Sequence, residues 1–134
     1  NAFKNQKQLK KVICGKFIQT IGEGAFSGCG RLQAVTVGSN VTVIGDKAFY
    51  KCSRLANVTI PAKVKKIGKS AFYGCKRLKT IAIKSQKLTS KNVGSNAFKG
   101  IYAKATVKAP KSKLSVYKKM LRAKGIGAKV KVKR

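Results

Sequence analysis

Few residues in this sequence could move protons, bind metals or attack electrophiles. It has no His and only two acids, Glu23 and Asp46, against 32 Lys and Arg, for a formal net charge of +30. General acid–base catalysis usually needs an imidazole or carboxylate held in a cleft, so most hydrolytic machinery is excluded. A paired-carboxylate glycosidase site needs two acids together, yet these two occupy equivalent positions 23 residues apart. Four cysteines remain, and Cys29, Cys52 and Cys75 recur at a spacing of 23. No Cys-x-x-Cys pair, His or nearby acid completes a zinc site. Stacked copies would bring neighbouring Cα atoms within disulfide range, but three identical inward-pointing thiols cannot all pair. They read as buried, reduced, small apolar side chains. Cys14 reads the same way, because Val or Ile fills its position elsewhere. No metal and no cofactor is expected.

Two further patterns dissolve on inspection. Ile67-Gly68-Lys69-Ser70 resembles the end of a phosphate-binding loop, but Lys63 stands where that motif needs its first Gly. Asn40-Val41-Thr42 and Asn57-Val58-Thr59 are formal glycosylation sequons, meaningful only in a eukaryotic secretory host.

The positions of these residues follow from an internal repeat. Ala-Phe occurs at 2–3, 25–26, 48–49, 71–72 and 97–98, at intervals of 23, 23, 23 and 26. Ile21-Gly22, Ile44-Gly45, Ile67-Gly68 and Val93-Gly94 precede it, and Leu9, Leu32, Leu55 and Leu78 follow. Val12, Val35, Val58 and Ile81 come next, then Cys14, Val37, Ile60 and Ile83. Within one copy, Val35-Thr36-Val37 alternates with period two and reads as a short strand. A turn and a second apolar pair, Val41 and Ile44, follow. The Ile-Gly-x-x-Ala-Phe-x-x-Cys stretch reads as a tight turn leading into about one helical turn. Glu23, Asp46 and Ser95 suit its start as caps, with Ser70 substituting beside Lys69. One copy cannot bury both apolar edges alone, whereas parallel stacking at roughly 4.8 Å per rung can.

The consensus Ile-Gly-x-x-Ala-Phe-x-x-Cys-x-x-Leu-x-x-Val-x-Ile-Pro, from residue 1 to about 107, resembles the BspA-type leucine-rich repeat of bacterial surface proteins. The resemblance implies an extracellular solenoid that binds proteins or glycans, often as an adhesin, with no catalytic residues. The expected fold is an α/β repeat: a leucine-rich-repeat solenoid with a parallel strand sheet and short helical turns, over residues 1–109.

Residues 110–134 read as a C-terminal helix-strand cap. Pro110 opens it, and a helix is expected from about Ser112 to Lys124 with Leu114, Tyr117 and Leu121 on one face. Gly125 is a helix stop, and Val130–Val132 alternates with Lys as an edge strand. Because the chain opens inside a repeat, without the preceding Ile-Gly, it reads as the C-terminal piece of a longer array.

Two surfaces are candidate binding sites. Arg31, Arg54 and Arg77 each precede the repeat Leu, so stacking aligns three guanidinium groups in a column suited to carboxylate, sulfate or phosphate. The outward strand positions form the other: Lys11 and Ile13, Ala34 and Thr36, Asn57 and Thr59, Thr80 and Ala82. The resemblance favours this second face for binding.

The expected function is a non-enzymatic, cell-surface or secreted binding module, adhesin-like, with a protein or glycan partner. Alternatives are a polyanion binder, holding cell-wall polymer or glycosaminoglycan, and a structural spacer. No apolar run approaches a membrane span. Specific nucleic-acid recognition is not expected, because Tyr and Phe lie mainly in core positions and Lys outnumbers Arg. The chain is expected to be a monomer.

Overall fold

A computed structural model of the chain describes residues 3–134, so Ala2 of the first Ala-Phe pair lies outside the described residues. Its elements run β1 (Lys11–Ile13), β2 (Thr20–Ile21), β3 (Ala34–Thr36), β4 (Val43–Ile44), β5 (Asn57–Ile60) and β6 (Lys66–Ile67). They continue with β7 (Thr80–Ile83), β8 (Thr106–Lys108), a 3-10 turn (Lys111–Lys113), α1 (Leu114–Ala123) and β9 (Lys131–Lys133). The strands separate into two sheets because each of the first three repeats supplies one strand to each, after which β7, β8 and β9 extend only the larger. The larger sheet has six parallel strands in the order β1-β3-β5-β7-β8-β9, and the smaller has three in the order β2-β4-β6. Register follows the repeat: Val12 faces Val35, Asn57 faces Thr80, and Thr80 faces Thr106 across the longer interval. The second sheet was legible in sequence only as the apolar pair Val41 and Ile44.

The third wall carries the main departure from the sequence reading. It forms a run of turns in each repeat where a helical turn was expected. Some amides close locally, as Ala25 N to Gly22 O and Cys29 N to Phe26 O. The amides between them reach the next rung: Phe26 N to Ala48 O and Gly28 N to Tyr50 O, both 2.8 Å. Lys47, Lys51, Ser70 and Asn96 hold φ of 55°, 57°, 54° and 58°, and Gly24, Gly28 and Gly74 share that left-handed region. Left-handed residues turn alternate peptides along the stacking axis; an α-helix would close all of them within one rung.

The capping expectation is corrected for the same reason. Asp46 Oδ1 accepts from Lys69 N of the next rung at 2.9 Å, bridging two turns instead of capping its own. Ser70 joins the stacking through its backbone, donating to Ser95 O.

The core lies between the three walls. Phe3, Phe26, Phe49, Phe72 and Phe98 stack with ring centroids 5.3–5.5 Å apart and planes within 10°. Full burial of such a ring, as at Phe49, Phe72 and Phe98, stabilises by about 1.5–3 kcal/mol each. The thiols of Cys29, Cys52 and Cys75 are buried and free, and each donates to the carbonyl of the preceding rung's Phe at 3.1–3.2 Å. A small side chain with one weak donor therefore fits this position better than Ala or Ser. Cys14 departs from its expected burial. It is half-buried, because it follows the edge strand β1. Gly68 is required by close approach: a Cβ there would lie 2.3 Å from Asp46 N.

At the C-terminal end, β9 pairs in parallel with β8, matching Val107 to Val132. The helix starts at Leu114, after the 3-10 turn, and buries Tyr117, Met120 and Leu121 while Leu114 stays half-buried. Tyr117 Oη donates to Ser85 O at 2.8 Å and accepts from Leu88 N at 3.2 Å. Residues Ser85 and Leu88 belong to the stretch that lengthens the last interval, so this insertion is the socket for the helix. Gly125, at φ +109°, ends α1 over Lys99, where a Cβ would come within 2.8 Å of backbone.

Candidate ligand-binding surfaces

The six-stranded sheet turns one face inward, through Val12, Val35, Val58, Ile81, Val107 and Val132, and the other outward. The outward face holds the sequence-predicted residues together. Lys11, Ala34, Asn57 and Thr80 are register partners in one column, and Thr106 and Lys131 extend it. Beside it, Ile13 pairs with Thr36, and Thr59, Ala82, Lys108 and Lys133 run in register. Lys11, Ala34, Thr36, Asn57 and Thr59 are exposed, whereas Thr80 and Ala82 are half-buried. The middle of the face is small and uncharged, and its C-terminal end is basic. Sequence reasoning stopped at the rung of Thr80 and Ala82 and did not carry the face on to Thr106, Lys108, Lys131 and Lys133. The alternation Thr106-Val107-Lys108 was a usable signal, obscured by the longer last interval.

At one end of the strands the face opens into a shallow recess of about 540 Å³. Thr36, Thr59, Ser39 and Pro61 line it, with Lys16, Lys63 and Lys84. Lys63 Nζ donates to Asn40 Oδ1 at 2.8 Å, which ties two rungs at its edge. A ligand on the Thr36–Thr59 strip would therefore meet hydroxyl groups first and ammonium groups beside them.

Arg31, Arg54 and Arg77 lie three residues before the first strand residues Ala34, Asn57 and Thr80, at the rim where the chain enters the sheet. All three are exposed. Arg31 Nη1 donates to Gln8 Oε1 at 3.0 Å, so Gln8 continues the column into the first rung. Among the described residues, Arg54 and Arg77 have neither a hydrogen bond nor an ion pair.

The three buried thiols, Cys29, Cys52 and Cys75, offer no reactive centre. Burial pushes the Cys52 thiol up to about 12, and the neighbouring Cys29 thiolate would push it further the same way. Burial raises Cys29 and raises Cys75 well above the ordinary value. A thiol that resists ionisation is a poor nucleophile and metal ligand. Among the described residues no group of three or more His, Cys, Asp or Glu could hold a metal ion.

Aromatic placement is mixed. Phe26, Phe49, Phe72, Phe98 and Tyr117 are core residues, while half-buried Tyr50 and Tyr73 stack with centroids 5.3 Å apart. Lys47 and Lys51 each sit 5.3 Å from the Tyr50 ring centroid, so this pair is already occupied by cations of the chain itself. Phe17 is 85% exposed, and with Phe3, Ile13 and Ile18 it leaves the N-terminal end of the stack apolar.

Comparison with known proteins agrees with this geometry. The family model for the BspA type leucine rich repeat region matches residues 1–124 as six copies. Among solved structures, a leucine-rich repeat protein from Bacteroides ovatus superposes with a TM-score of 0.78 at 33% identity, covering 97% of this chain and 31% of that one. A leucine rich cell surface protein from Faecalibacterium prausnitzii gives 0.62 at 36% identity, over 63% of this chain and 22% of that one. The T. pallidum leucine rich repeat protein gives 0.72 at 28% identity, over 81% and 50%. The chain thus spans a half or less of each of these proteins. No curated protein matches it.

Proposed function

We infer a binding role from one premise: the chain belongs to the BspA-type leucine-rich repeat family. Such solenoids are non-enzymatic scaffolds that act by binding. The chain is a cell-surface or secreted module, adhesin-like, that holds a protein or glycan ligand on the outward face of its six-stranded sheet. One observation carries the reading. Six in-register parallel strands present an uninterrupted face whose centre, Ala34, Thr36, Asn57, Thr59 and Thr80, is free of charge in a chain of net charge +30. A sequence that carries Lys and Arg throughout its length but spares this strip leaves it open for contact.

Surface location is supported by the F. prausnitzii relative, described as a cell surface protein. No helix among the described residues is long and apolar enough to cross a membrane. The charge adds a nonspecific attraction to any polyanion, which added salt weakens.

The test is binding of labelled chain to intact epithelial cells at about 0.15 M ionic strength, where charge–charge reach is about 8 Å. Saturable binding is expected, and Thr36→Glu with Thr59→Glu abolishes it without unfolding the chain. Equal binding by this double variant places the contact elsewhere. No saturable binding at all favours a spacer that only presents other parts of a longer protein.

A further inference from the structure

We propose that Arg31, Arg54 and Arg77 form a second binding site, for a linear acidic polysaccharide that carries one carboxylate or sulfate per sugar residue. This inference does not rest on the sheet-face reading, because the two residue sets are disjoint.

The first observation is which cation the column uses. Arg31, Arg54, Arg77, Arg122 and Arg134 are the only arginines among 32 Lys and Arg. Three of the five occupy one repeat position in consecutive rungs. Arg122 is used inside the cap, where it donates to Gly127 O and Val130 O. No other position of the repeat carries the same charge in three successive rungs. The Lys51 position holds Gly28 and Gly74 in its neighbours, the Lys66 position holds Thr20 and Val43, and the Lys69 position holds Glu23 and Asp46. A merely basic composition would scatter Lys here as it does elsewhere. Guanidinium differs from ammonium by presenting a planar fork that grips an oxyanion through two parallel hydrogen bonds.

The second observation is that the column is unsatisfied. Among the described residues, the Arg31 side chain reaches only the neutral Gln8, and the Arg54 and Arg77 side chains have no hydrogen-bond or ion-pair partner. Like charges side by side on adjacent strands repel. Exposed Lys76 and Lys79 flank Arg77 and deepen the positive field at that end. An anion on each guanidinium removes this repulsion.

The third observation is pitch. Ring centroids of neighbouring rungs lie 5.3–5.5 Å apart. An acidic glycan carries an oxyanion on every sugar of a chain jointed at each glycosidic link, so its groups turn to meet guanidiniums one rung apart. An extended acidic peptide repeats its same-side groups every two residues, about 6.7 Å, and falls out of phase along the column. A nucleic-acid strand needs a series of aromatic stacking partners; beside the column stand Gln33, Ala56 and Ser53, and the one exposed aromatic there among the described residues, Tyr102, already has Lys79 5.5 Å from its ring centroid.

The experiment is calorimetric titration with polygalacturonate oligomers, which carry one carboxylate per sugar, at about 0.15 M ionic strength. The parent chain binds. R31Q/R54Q/R77Q weakens binding at least about tenfold, and R31K/R54K/R77K, which keeps the charge but loses the fork, falls between. Lys91→Gln, Lys118→Gln and Lys129→Gln together remove the same charge and leave affinity within about twofold. Polyglutamate of equal charge binds more weakly than polygalacturonate. Equal losses in the two neutralised triple variants, or equal affinity for the two polymers, would overturn the proposal. So would loss of polygalacturonate binding in the Thr36→Glu, Thr59→Glu variant alone. If the triple Arg variant loses its circular-dichroism signature, Arg54→Gln at the middle of the column replaces it, with a severalfold loss expected.

Discussion

Single positions in this chain are chosen for what the neighbouring rung offers them. Cys52 is the clearest case: its thiol donates to Phe26 O and is packed between Cys29 and Cys75 in the same column. Burial raises its pKa from 9.0 to about 12, so folding favours the neutral thiol. The stability this contributes is complete below pH 9.0, where the unfolded thiol is also protonated, and is lost as pH rises towards about 12. The parent is compared with Cys52→Ala at each pH, so that pH effects common to both chains cancel. In urea denaturation, the stability difference between them should shrink above pH 9, by up to about 1.4 kcal/mol per pH unit. A difference that is constant with pH would mean that the thiol ionises as readily folded as unfolded. The position was legible in the sequence as a buried thiol. Its hydrogen bond was not, because the acceptor belongs to a residue 26 positions away.

Among the elements, the strands were the most legible and the turn wall the least. Period-two alternation at Val35-Thr36-Val37 sufficed for β3, whereas Ile-Gly-x-x-Ala-Phe-x-x-Cys has apolar spacing that a helical turn satisfies equally well. The choice fell to the stacking amides, such as Phe49 N to Ala71 O at 2.8 Å, which exist only when rungs are in contact. The cap shows the same division. Leu114, Tyr117 and Leu121 were readable as one helical face, but nothing local assigned Tyr117 to the Ser85–Leu88 insertion. Tyr117→Phe keeps the ring packing and removes one hydroxyl, leaving Ser85 O and Leu88 N buried without it. A loss of about 1–3 kcal/mol is expected by chemical denaturation. Hydrogen exchange should accelerate first in α1 and at Leu88. An unchanged stability would show that the socket is held by packing alone.

For the whole molecule, the opposing quantities are a continuous core and a net charge of +30 in a chain of 134 residues. Raising ionic strength from about 0.01 to 0.15 M shortens the reach of charge from about 30 to 8 Å. Self-repulsion should fall accordingly, so added sodium chloride should raise the urea midpoint, by at least about 1 kcal/mol in stability. A midpoint that is flat or falls with salt would mean that the lysines are spaced too widely to oppose folding. The repeat, its parallel stacking and the in-register Arg31, Arg54 and Arg77 were determined by the sequence alone, because a fixed 23-residue period maps equivalent residues onto equivalent places. Only the tertiary structure decided the left-handed turns at Lys47 and Lys51, the extension of the sheet face through Lys108 and Lys131, and the exposure of Arg54 and Arg77 at the rim. The physical reason is shared: each depends on contacts between residues of different rungs, and a local pattern carries no record of what stands on the neighbouring rung.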